Sequence, residues 1–376
     1  MNARKERRER RAWATAAMAG LLLPVNAWTA VEVAAADAGA RLTRLAANVY
    51  VIDHDDATDE WPHGNTGVIL GRDGVFVIDS GYLPSRAKAD IALIRRVTDK
   101  PVRILFTTHW HFDHNNGASA YRDAFPGLTV LAERDTSRWT ELNQRYWQAL
   151  STAPDSPRRE ALAQLEAGLD RGAGPDGAPL DAPARARLEG AIASRRAELA
   201  ELAVLEVVAP TQVFDGRLSL DFGGTRIEIE NRGPANSPAD ATVWLPEERI
   251  LFAGDILVRS PLPYVFASWP VHWANVLRDL EDVPADFVVP GHGPIMTDHG
   301  YTRAVRELLE AALARVEALV RRGRSLAQVQ DELALDDLRG RVPDWNGPRV
   351  SDADWDYTRR ALAERAFAGI RGQGGR

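Results

Sequence analysis

The sequence predicts an α/β protein, in which strands and helices alternate along the chain and pack in layers. Three observations support this class. Short apolar runs that end in a polar residue recur over residues 48–131, amphipathic stretches separate them, and a second set of strand-like runs occupies residues 218–289. With 376 residues and 45% hydrophobic content, the chain can bury a sizeable core in one large domain or two smaller ones.

The charge and the cysteine count exclude several classes of partner and site. The formal net charge is -7, and no concentrated Lys/Arg face occurs outside the extreme N-terminus, so we expect no nucleic-acid partner. The chain contains no cysteine. Any bound metal must therefore be held by nitrogen and oxygen ligands.

Residues 1–38 have the pattern of a secretory signal peptide. A basic start precedes the apolar run Ala12 to Val25, and Ala36-Asp37-Ala38 provides a cleavage site. The run Arg10-Arg11-Ala12-Trp13 weakly resembles a twin-arginine export motif. An uncleaved anchor is the alternative, but the apolar run is shorter than the ~20 residues that span a bilayer. We expect a mature protein of residues 39–376 that is periplasmic or secreted, without stable membrane insertion.

The first half of the domain alternates strands with helices. We predict helices over residues 84–97 and 117–125, each with apolar positions at helical spacing. The remaining apolar runs predict strands over residues 48–52, 67–70, 75–78, 102–106 and 128–131. In an α/β layered domain, functional residues are expected where strands end.

Thr108 to Asn115, directly after the fourth of these strands, predicts a metal site. It contains His109, His111, Asp113 and His114, three of the eight histidines in the chain. Residues two apart in an extended or tightly looped backbone project to the same side. His109 and His111 can therefore bind one cation while Asp113 and His114 turn toward a second. A solvated loop is the alternative interpretation.

Residues 134–203 differ in composition, being rich in Ala, Arg, Glu and Leu. They predict two or three helices, for example over residues 158–170 and 183–203, with a Gly/Pro-rich break at residues 172–177. We interpret the segment as an insertion in the core fold. It could serve as a lid, a dimer contact or a simple covering, and Trp139, Tyr146 and Trp147 could cap a pocket.

The second half is again β-rich. A hairpin is predicted over residues 218–230, strands follow at residues 241–246 and 249–255, and a last core strand at residues 287–289 leads to His292. The predicted C-terminal helices cover about residues 299–370 and would lie on the outside of the sheet. Their predicted bounds are residues 299–322, 325–338 and 355–370.

The HxHxDH run and the ordered motifs after it resemble the metallo-β-lactamase fold superfamily. That resemblance implies a four-layer αββα sandwich with a helical insertion, and it covers roughly Leu42 to His299. It also implies a bracing role for Asp79, at the end of a buried strand, by hydrogen bonds to the metal-binding loops. It implies that His109 and His111 hold a first zinc ion, that Asp113, His114 and His292 hold a second, and that Asp255 bridges both.

One position departs from the pattern of this superfamily. The third histidine ligand of the first metal is replaced here by Asn236, in Asn236-Ser237-Pro238-Ala239-Asp240. An amide oxygen is a weaker zinc donor than imidazole, so the first site should bind less tightly. Either Asn236 is a weak ligand in a two-metal centre, or only the second site is filled under ordinary conditions. We favour two zinc ions, with iron as the alternative metal.

The resemblance implies a zinc-dependent hydrolase in which a zinc-activated hydroxide attacks an ester, thioester, lactone or amide bond. Asp113 would orient the nucleophile and pass a proton to the leaving group. A β-lactamase is the first alternative, although Asp255 occupies a place where β-lactamases of this fold commonly carry Cys or Ser. A non-heme iron oxygenase and a non-catalytic metal-binding protein are the others.

Several aromatic side chains predict a partly apolar small-molecule substrate. They lie in the sequence near the predicted ligands, where they could line a cleft above the metals. Ordinary packing is the alternative for each of them. The residues are Trp61, His63, Trp110, Tyr264, Phe266 and Trp269.

Overall fold

The computed structural model describes residues 40–54, 63–174, 177–259, 262–263, 265–347 and 350–372. The predicted signal peptide and two of the predicted cleft residues, Trp61 and Tyr264, lie outside these ranges. Within them, every helix is too short or too polar to cross a membrane.

A seven-stranded sheet forms the first half, with its strands in sequence order. β1 to β4 pair antiparallel, and β4 to β7 pair parallel. The short last strand was not predicted from the sequence. The strands are β1 Ala40–Arg44, β2 Val49–His54, β3 Thr66–Leu70, β4 Val75–Ile78, β5 Val102–Thr107, β6 Thr129–Glu133 and β7 Gln212–Phe214.

A five-stranded sheet forms the second half, in the order β12-β11-β10-β9-β8. β11 and β12 are parallel, and the other neighbours are antiparallel. The predicted hairpin is the β8–β9 pair, which turns between Phe222 and Thr225. The strands are β8 Arg217–Phe222, β9 Thr225–Asn231, β10 Ala241–Leu245, β11 Ile250–Val258 and β12 Phe287–His292.

The helices confirm most of the predicted pattern and correct it in four places. The predicted helix over residues 84–97 ends at Ile94, and the one over residues 325–338 breaks into two. A short helix within the ligand motif and a helix before β12 were missed. The helices are α1 Pro84–Ile94, α2 Phe112–Asn115, α3 Ala118–Ala124, α4 Arg134–Thr152, α5 Pro157–Arg171, α6 Ala182–Ala203, α7 Pro270–Glu281, α8 Gly300–Arg321, α9 Leu326–Glu332, α10 Asp336–Arg339 and α11 Asp352–Ile370.

The three helices between β6 and β7 begin at polar caps. The Glu133 carboxylate accepts a hydrogen bond from the backbone N–H of Asp135 at 2.6 Å, Ser156 caps α5, and Asp181 caps α6. Gly172, in the left-handed conformation, ends α5 inside the predicted break.

Two sheets face each other, and helices cover both outer faces. Neighbouring residues of a strand project to opposite sides, so Ile69 packs in the core between the sheets while Val68 packs toward α1 and α3. The core between the sheets also contains Ile229 and Phe252 from the second sheet. Helices α7 to α11 pack on the other face of that sheet, in a core that includes the buried Trp273. The predicted four-layer αββα sandwich is confirmed.

Candidate metal centre

The ligand motif leaves β5 in an extended conformation and then turns into one helical turn. His111 has φ -64° and ψ 144° and precedes α2, so Asp113 and His114 lie on a short helix rather than the predicted loop. The Asn115 amide Nδ2 donates to the carbonyl of Trp110 at 2.9 Å and also to that of His111. These bonds hold the end of the motif against its start, so that its histidines and Asp113 lie close together.

Asp79 braces this motif from the end of β4. Its Oδ1 accepts from the backbone N–H of Thr108 at 2.8 Å, and its Oδ2 accepts from the Thr108 hydroxyl at 2.8 Å. Oδ2 also lies 2.8 Å from Nδ1 of His114. A proton held on Nδ1 by that contact would leave Nε2 of His114 available to a metal ion. Asp79 itself has φ 62°, a conformation uncommon for a residue with a side chain.

Asp255 reaches the site because β11 is irregular there. Gly254 pairs with Pro290 of β12, but the next pair is Val258 with His292, so β11 bulges around Asp255. Gly254 adopts φ 52°, which a glycine reaches without strain. The bulge redirects the carboxylate of Asp255 from the sheet toward the histidines.

The first cluster of ligand atoms comprises His109, His111 and Asp255. Nε2 of His109 lies 3.0 Å from Nδ1 of His111, and Oδ2 of Asp255 lies 3.5 and 3.9 Å from these two nitrogens. All of these atoms lie within 4.8 Å of one another. His109 is held from behind by the Thr108 hydroxyl, 3.0 Å from its Nδ1.

The second cluster comprises Asp113, His114, His292 and Asp255. Nε2 of His114 lies 3.1 Å from Nε2 of His292, and Oδ1 of Asp255 lies 3.2 and 3.4 Å from them. Oδ2 of Asp113 lies 3.1 Å from Nε2 of His292. Asp255 thus directs one oxygen to each cluster.

The charges of the second cluster compensate one another. Burial opposes protonation of His114, but the carboxylates of Asp255, Asp79 and Asp113 outweigh it and hold the pKa well above the ordinary value. For Asp255, burial favours the neutral acid, but His114 and His292 outweigh it and hold the pKa well below the usual range. In the first cluster, burial lowers the pKa of His111.

Asn236 lies beside Asp255. Its Nδ2 donates to the backbone carbonyl of Asp255 at 3.2 Å, and the residue is fully buried. Its Oδ1 has no hydrogen-bond partner among the described residues. Asp240 shapes the loop by accepting from the backbone N–H of Ser237 at 2.7 Å. The remaining acceptor of the Asn236 amide is therefore available to a ligand.

The residues present fit a pair of divalent cations. Imidazole and carboxylate groups are preferred zinc ligands, and the nitrogen and oxygen atoms of each cluster converge within 4.8 Å of one another. Oδ1 of Asp255, like Oδ1 of Asn236, is buried without a hydrogen-bond partner in the described part of the chain. Buried polar atoms are normally satisfied, and a metal ion would satisfy these.

Aromatic rings lie beside His111 of the first cluster. The Trp110 ring lies 4.7 Å from that of His111, and the Phe266 ring lies 6.4 Å from it. Trp139 of α4 lies 6.1 Å from Trp110. His63 shows the alternative, ordinary packing, rather than a position in the cleft. His63 is 1% exposed, and its ring packs in the interior between those of His54 and Tyr82.

Trp269 directly precedes α7, and the guanidinium of Arg365 lies over its ring at 5.3 Å. Tyr146 and Trp147, which were noted with Trp139 on the inserted helical segment, pack against other side chains. Trp147 is fully buried, with its ring 4.0 Å from that of Phe112 in α2. Tyr146 lies beside Trp147, with the two ring centroids 6.0 Å apart.

The comparisons with known proteins agree with this geometry. The profile of the Metallo-beta-lactamase superfamily matches residues 59–320, more than half of the chain. This chain belongs to the metallo-beta-lactamase superfamily. Members of this superfamily are hydrolases, and the fold of the two sheets is the fold of the superfamily.

Individual relatives are distant. The linear primary-alkylsulfatase of a Pseudomonas strain is 22% identical over 279 residues, which cover 71% of this chain and 48% of that protein. The chain therefore spans about half the length of this curated relative. The solved structure of a double mutant of the sec-alkyl sulfatase PisA1 matches with a TM-score of 0.59 and 17% identity, over 90% of this chain and 51% of that one.

A second solved structure, DIM-1 metallo-beta-lactamase exposed to ceftazidime, matches with a TM-score of 0.50 and 17% identity. It covers 73% of this chain and 98% of that chain. At this identity both structures show the shared fold of the superfamily.

Sequence reasoning missed the residues that hold the ligand loops in place. Thr108, Asn115 and Gln144 form hydrogen bonds within or onto the motif, and the Gln144 amide reaches Oδ1 of Asn115 at 3.1 Å. Asn65 binds the loop that carries His292. The sequence offered one indication of this role. Asn65 and Asn115 are flanked by an apolar strand or by ligand residues, so their amides are expected to be buried and to need hydrogen-bond partners.

Proposed function

We propose that this protein is a hydrolase that uses two zinc ions to cleave an ester, thioester, lactone or amide bond in a partly apolar small molecule. The observation that carries this proposal is the position of Asp255, whose Oδ2 faces His109 and His111 and whose Oδ1 faces His114 and His292. A carboxylate shared in this way is suited to hold two cations side by side.

His109, His111 and Asn236 would hold one ion, Asp113, His114 and His292 the other, and Asp255 both. When bound, zinc supplies Lewis acidity and lowers the pKa of water to near neutrality. Asn236 would contribute through Oδ1, the atom that its bond to Asp255 leaves unused. An amide is a weaker zinc donor than imidazole, so the first ion would be held less tightly.

The substrate would approach from the side of His111 and Asp113. Each of these residues is 7% exposed, whereas His109 and His114 are fully buried. Asp113 is the carboxylate on that side, and we assign it the role of orienting the attacking water and transferring a proton to the leaving group. Trp110 and Phe266 beside His111, with Trp139 behind Trp110, would bind an apolar part of the substrate.

The residue type at position 255 helps to rank the candidate classes of substrate. β-Lactamases of this fold commonly carry Cys or Ser at that position, so we rank a β-lactam below ester, thioester, lactone and amide substrates. An alkyl sulfate ester is the second candidate, because the alkylsulfatase match covers 71% of this chain. We further propose export to the periplasm or beyond, based on the signal-like residues 1–38.

Metal analysis and a substrate panel test the proposal together. Purified protein would be analysed for zinc and iron by mass spectrometry. It would then be assayed on p-nitrophenyl esters of increasing chain length, a thioester, a lactone, a chromogenic cephalosporin and dodecyl sulfate. His111→Ala and Asp113→Ala remove proposed site residues, and His272→Ala, an exposed histidine on α7, is the matched control.

We expect zinc, turnover of an ester-type substrate, loss of turnover in both site variants, and wild-type turnover in His272→Ala. Bound iron together with oxygen consumption would indicate an oxygenase instead of a hydrolase. Turnover of dodecyl sulfate alone would select the second candidate. Protein that binds no metal stoichiometrically would overturn the proposal.

A further inference from the structure

His63, Gly64 and Asn65 precede β3 and lie between the two loops that carry the second cluster. The backbone N–H of Gly64 donates to the carbonyl of Asp113 at 3.3 Å. The next backbone N–H, that of Asn65, donates to the carbonyl of Gly291 at 2.6 Å. Consecutive peptide groups therefore contact one ligand loop from the first sheet and one from the second.

The side chain of Asn65 adds two hydrogen bonds to the second of these loops. Its Nδ2 donates to the carbonyl of Pro290 at 3.0 Å and to that of Gly293 at 2.9 Å. The carbonyl of His292 itself accepts from the backbone N–H of Arg259 at 3.0 Å. All four carbonyls of residues 290–293 are thus hydrogen-bonded, three of them to Asn65. Asn65 is 5% exposed, so these contacts are largely shielded from water.

His292 depends on its backbone more than His114 does. The ring of His114 is oriented by Asp79, which contacts its Nδ1 at 2.8 Å. Nδ1 of His292 is buried and has no hydrogen-bond partner within the described ranges. Metal-binding histidines are usually held by a hydrogen bond to the ring nitrogen that does not bind the metal. Without that bond, the direction of Nε2 of His292 is set by the loop to which it is attached.

We propose that Asn65 is a positioning residue for the second metal site, which it serves by fixing the loop of residues 290–293 so that Nε2 of His292 faces His114 and Asp255. This inference rests on the proposed two-metal centre. Only a short side chain with two N–H donors on one atom can bind two carbonyls from this position. Aspartate has no such donor, and glutamine is one methylene longer.

Asn48 provides a matched control for Asn65→Ala. Asn48 directly precedes β2, and its Nδ2 also makes two hydrogen bonds to the second half of the domain, to Oγ1 of Thr225 at 2.7 Å and to Oε1 of Glu248 at 3.0 Å. Neither Thr225 nor Glu248 belongs to the metal centre. Substitution of either asparagine by alanine removes two side-chain hydrogen bonds between the halves of the domain and introduces no charge.

The experiment measures binding of Zn²⁺ by competition with a chromogenic chelator, the visible spectrum of the Co²⁺-substituted protein, and thermal unfolding. We expect Asn65→Ala to lower the affinity for one of the two Zn²⁺ ions by about 10- to 100-fold. The visible spectrum of Co²⁺ bound at that site should also change. Asn48→Ala should keep the wild-type affinity for both Zn²⁺ ions and the wild-type Co²⁺ spectrum, even if it unfolds at a lower temperature. Asn65→Ser, which keeps one donor, provides a milder variant if Asn65→Ala does not fold.

Three outcomes separate the possibilities. Wild-type affinity for both ions in folded Asn65→Ala or Asn65→Ser would overturn the positioning role. An equal loss of affinity in Asn48→Ala would also overturn it, because the effect would then follow from general weakening of the contact between the sheets. Failure of the wild-type protein to bind Zn²⁺ would instead overturn the proposed function.

Discussion

The two ligand clusters share Asp255 but differ in composition and in support. The second cluster has two histidines and, with Asp113, a carboxylate of its own, whereas the first has two histidines and no carboxylate besides Asp255. In the proposed centre, the amide of Asn236 would complete the first cluster. Carboxylates hold the pKa of His114 well above its ordinary value against the effect of burial, while burial lowers the pKa of His111. The second cluster therefore presents more negative charge to a cation.

In the proposed two-metal centre, Asn236 in place of a histidine would make the first site bind its ion more weakly than the second. Asp255 contributes to both clusters, so the ranking of the two ions depends on the residues that are not shared. An imidazole is a stronger zinc donor than an amide oxygen, and a carboxylate adds charge as well. We expect tight binding at the second cluster and weaker binding at the first.

Removal of the shared residue should have the largest effect. Asp255→Ala takes one ligand from each cluster and leaves four buried histidines without their common counter-charge. Changes to groups that only support metal ligands cost about 10- to 100-fold, so loss of a shared ligand should lower turnover by at least ~100-fold. Metal content should fall for both ions. Asp279→Ala, an exposed carboxylate on α7, is the control. Retention of both ions would refute the bridging role.

Gly64→Ala should affect the second cluster alone. A Cβ at Gly64 would lie 2.4 Å from Cε1 of the His114 imidazole, so the ring must move. We expect one ion to bind about 10- to 100-fold more weakly and the other to bind as in the wild type, measured by chelator competition. Gly369→Ala, at a helical glycine with only a 3.4 Å contact, serves as the control. Equal weakening of both ions would contradict the separation into clusters.

Stepwise removal of metal from the wild-type protein should reveal the two affinities. With increasing chelator, we expect one zinc ion to leave before the other, with affinities about tenfold or more apart. Zinc content at each chelator concentration, measured after desalting, gives the two steps. Removal of both ions in a single step would mean that Asn236 does not weaken the first cluster.

Asn236→His should reduce the difference between the affinities of the two zinc ions. The new imidazole would supply the donor that members of the superfamily usually carry here, and the first ion should bind about tenfold more tightly. The loop held by Asp240 must accept the larger ring, so thermal unfolding is measured in parallel. An Asn236→Ala variant, which removes the amide, should widen that difference slightly. No change in either variant would show that residue 236 is not a ligand.

Local patterns in the sequence predicted the fold class and the metal ligands within residues 109–114, whereas Asn236, Asp255 and His292 were inferred from the resemblance to the superfamily. Apolar runs that end in Asp79 or Thr108 predicted strands with polar ends, and histidines two and three residues apart predicted ligands without any knowledge of the fold. The short helix α2, helix α7 and the break between α9 and α10 escaped prediction, because short or weakly patterned segments depend on their packing partners.

The tertiary structure alone decided how those residues meet. The bulge at Gly254 turns Asp255 between the clusters, and Asn65 holds the carbonyl of Pro290, 225 positions away in the chain. Hydrogen bonds over such separations leave no periodic signal, since they depend on where two sheets come into contact. The sequence by itself thus identified the imidazole and carboxylate groups of the candidate metal centre. The packing of one sheet against the other determined which ligands face each other and what holds them there.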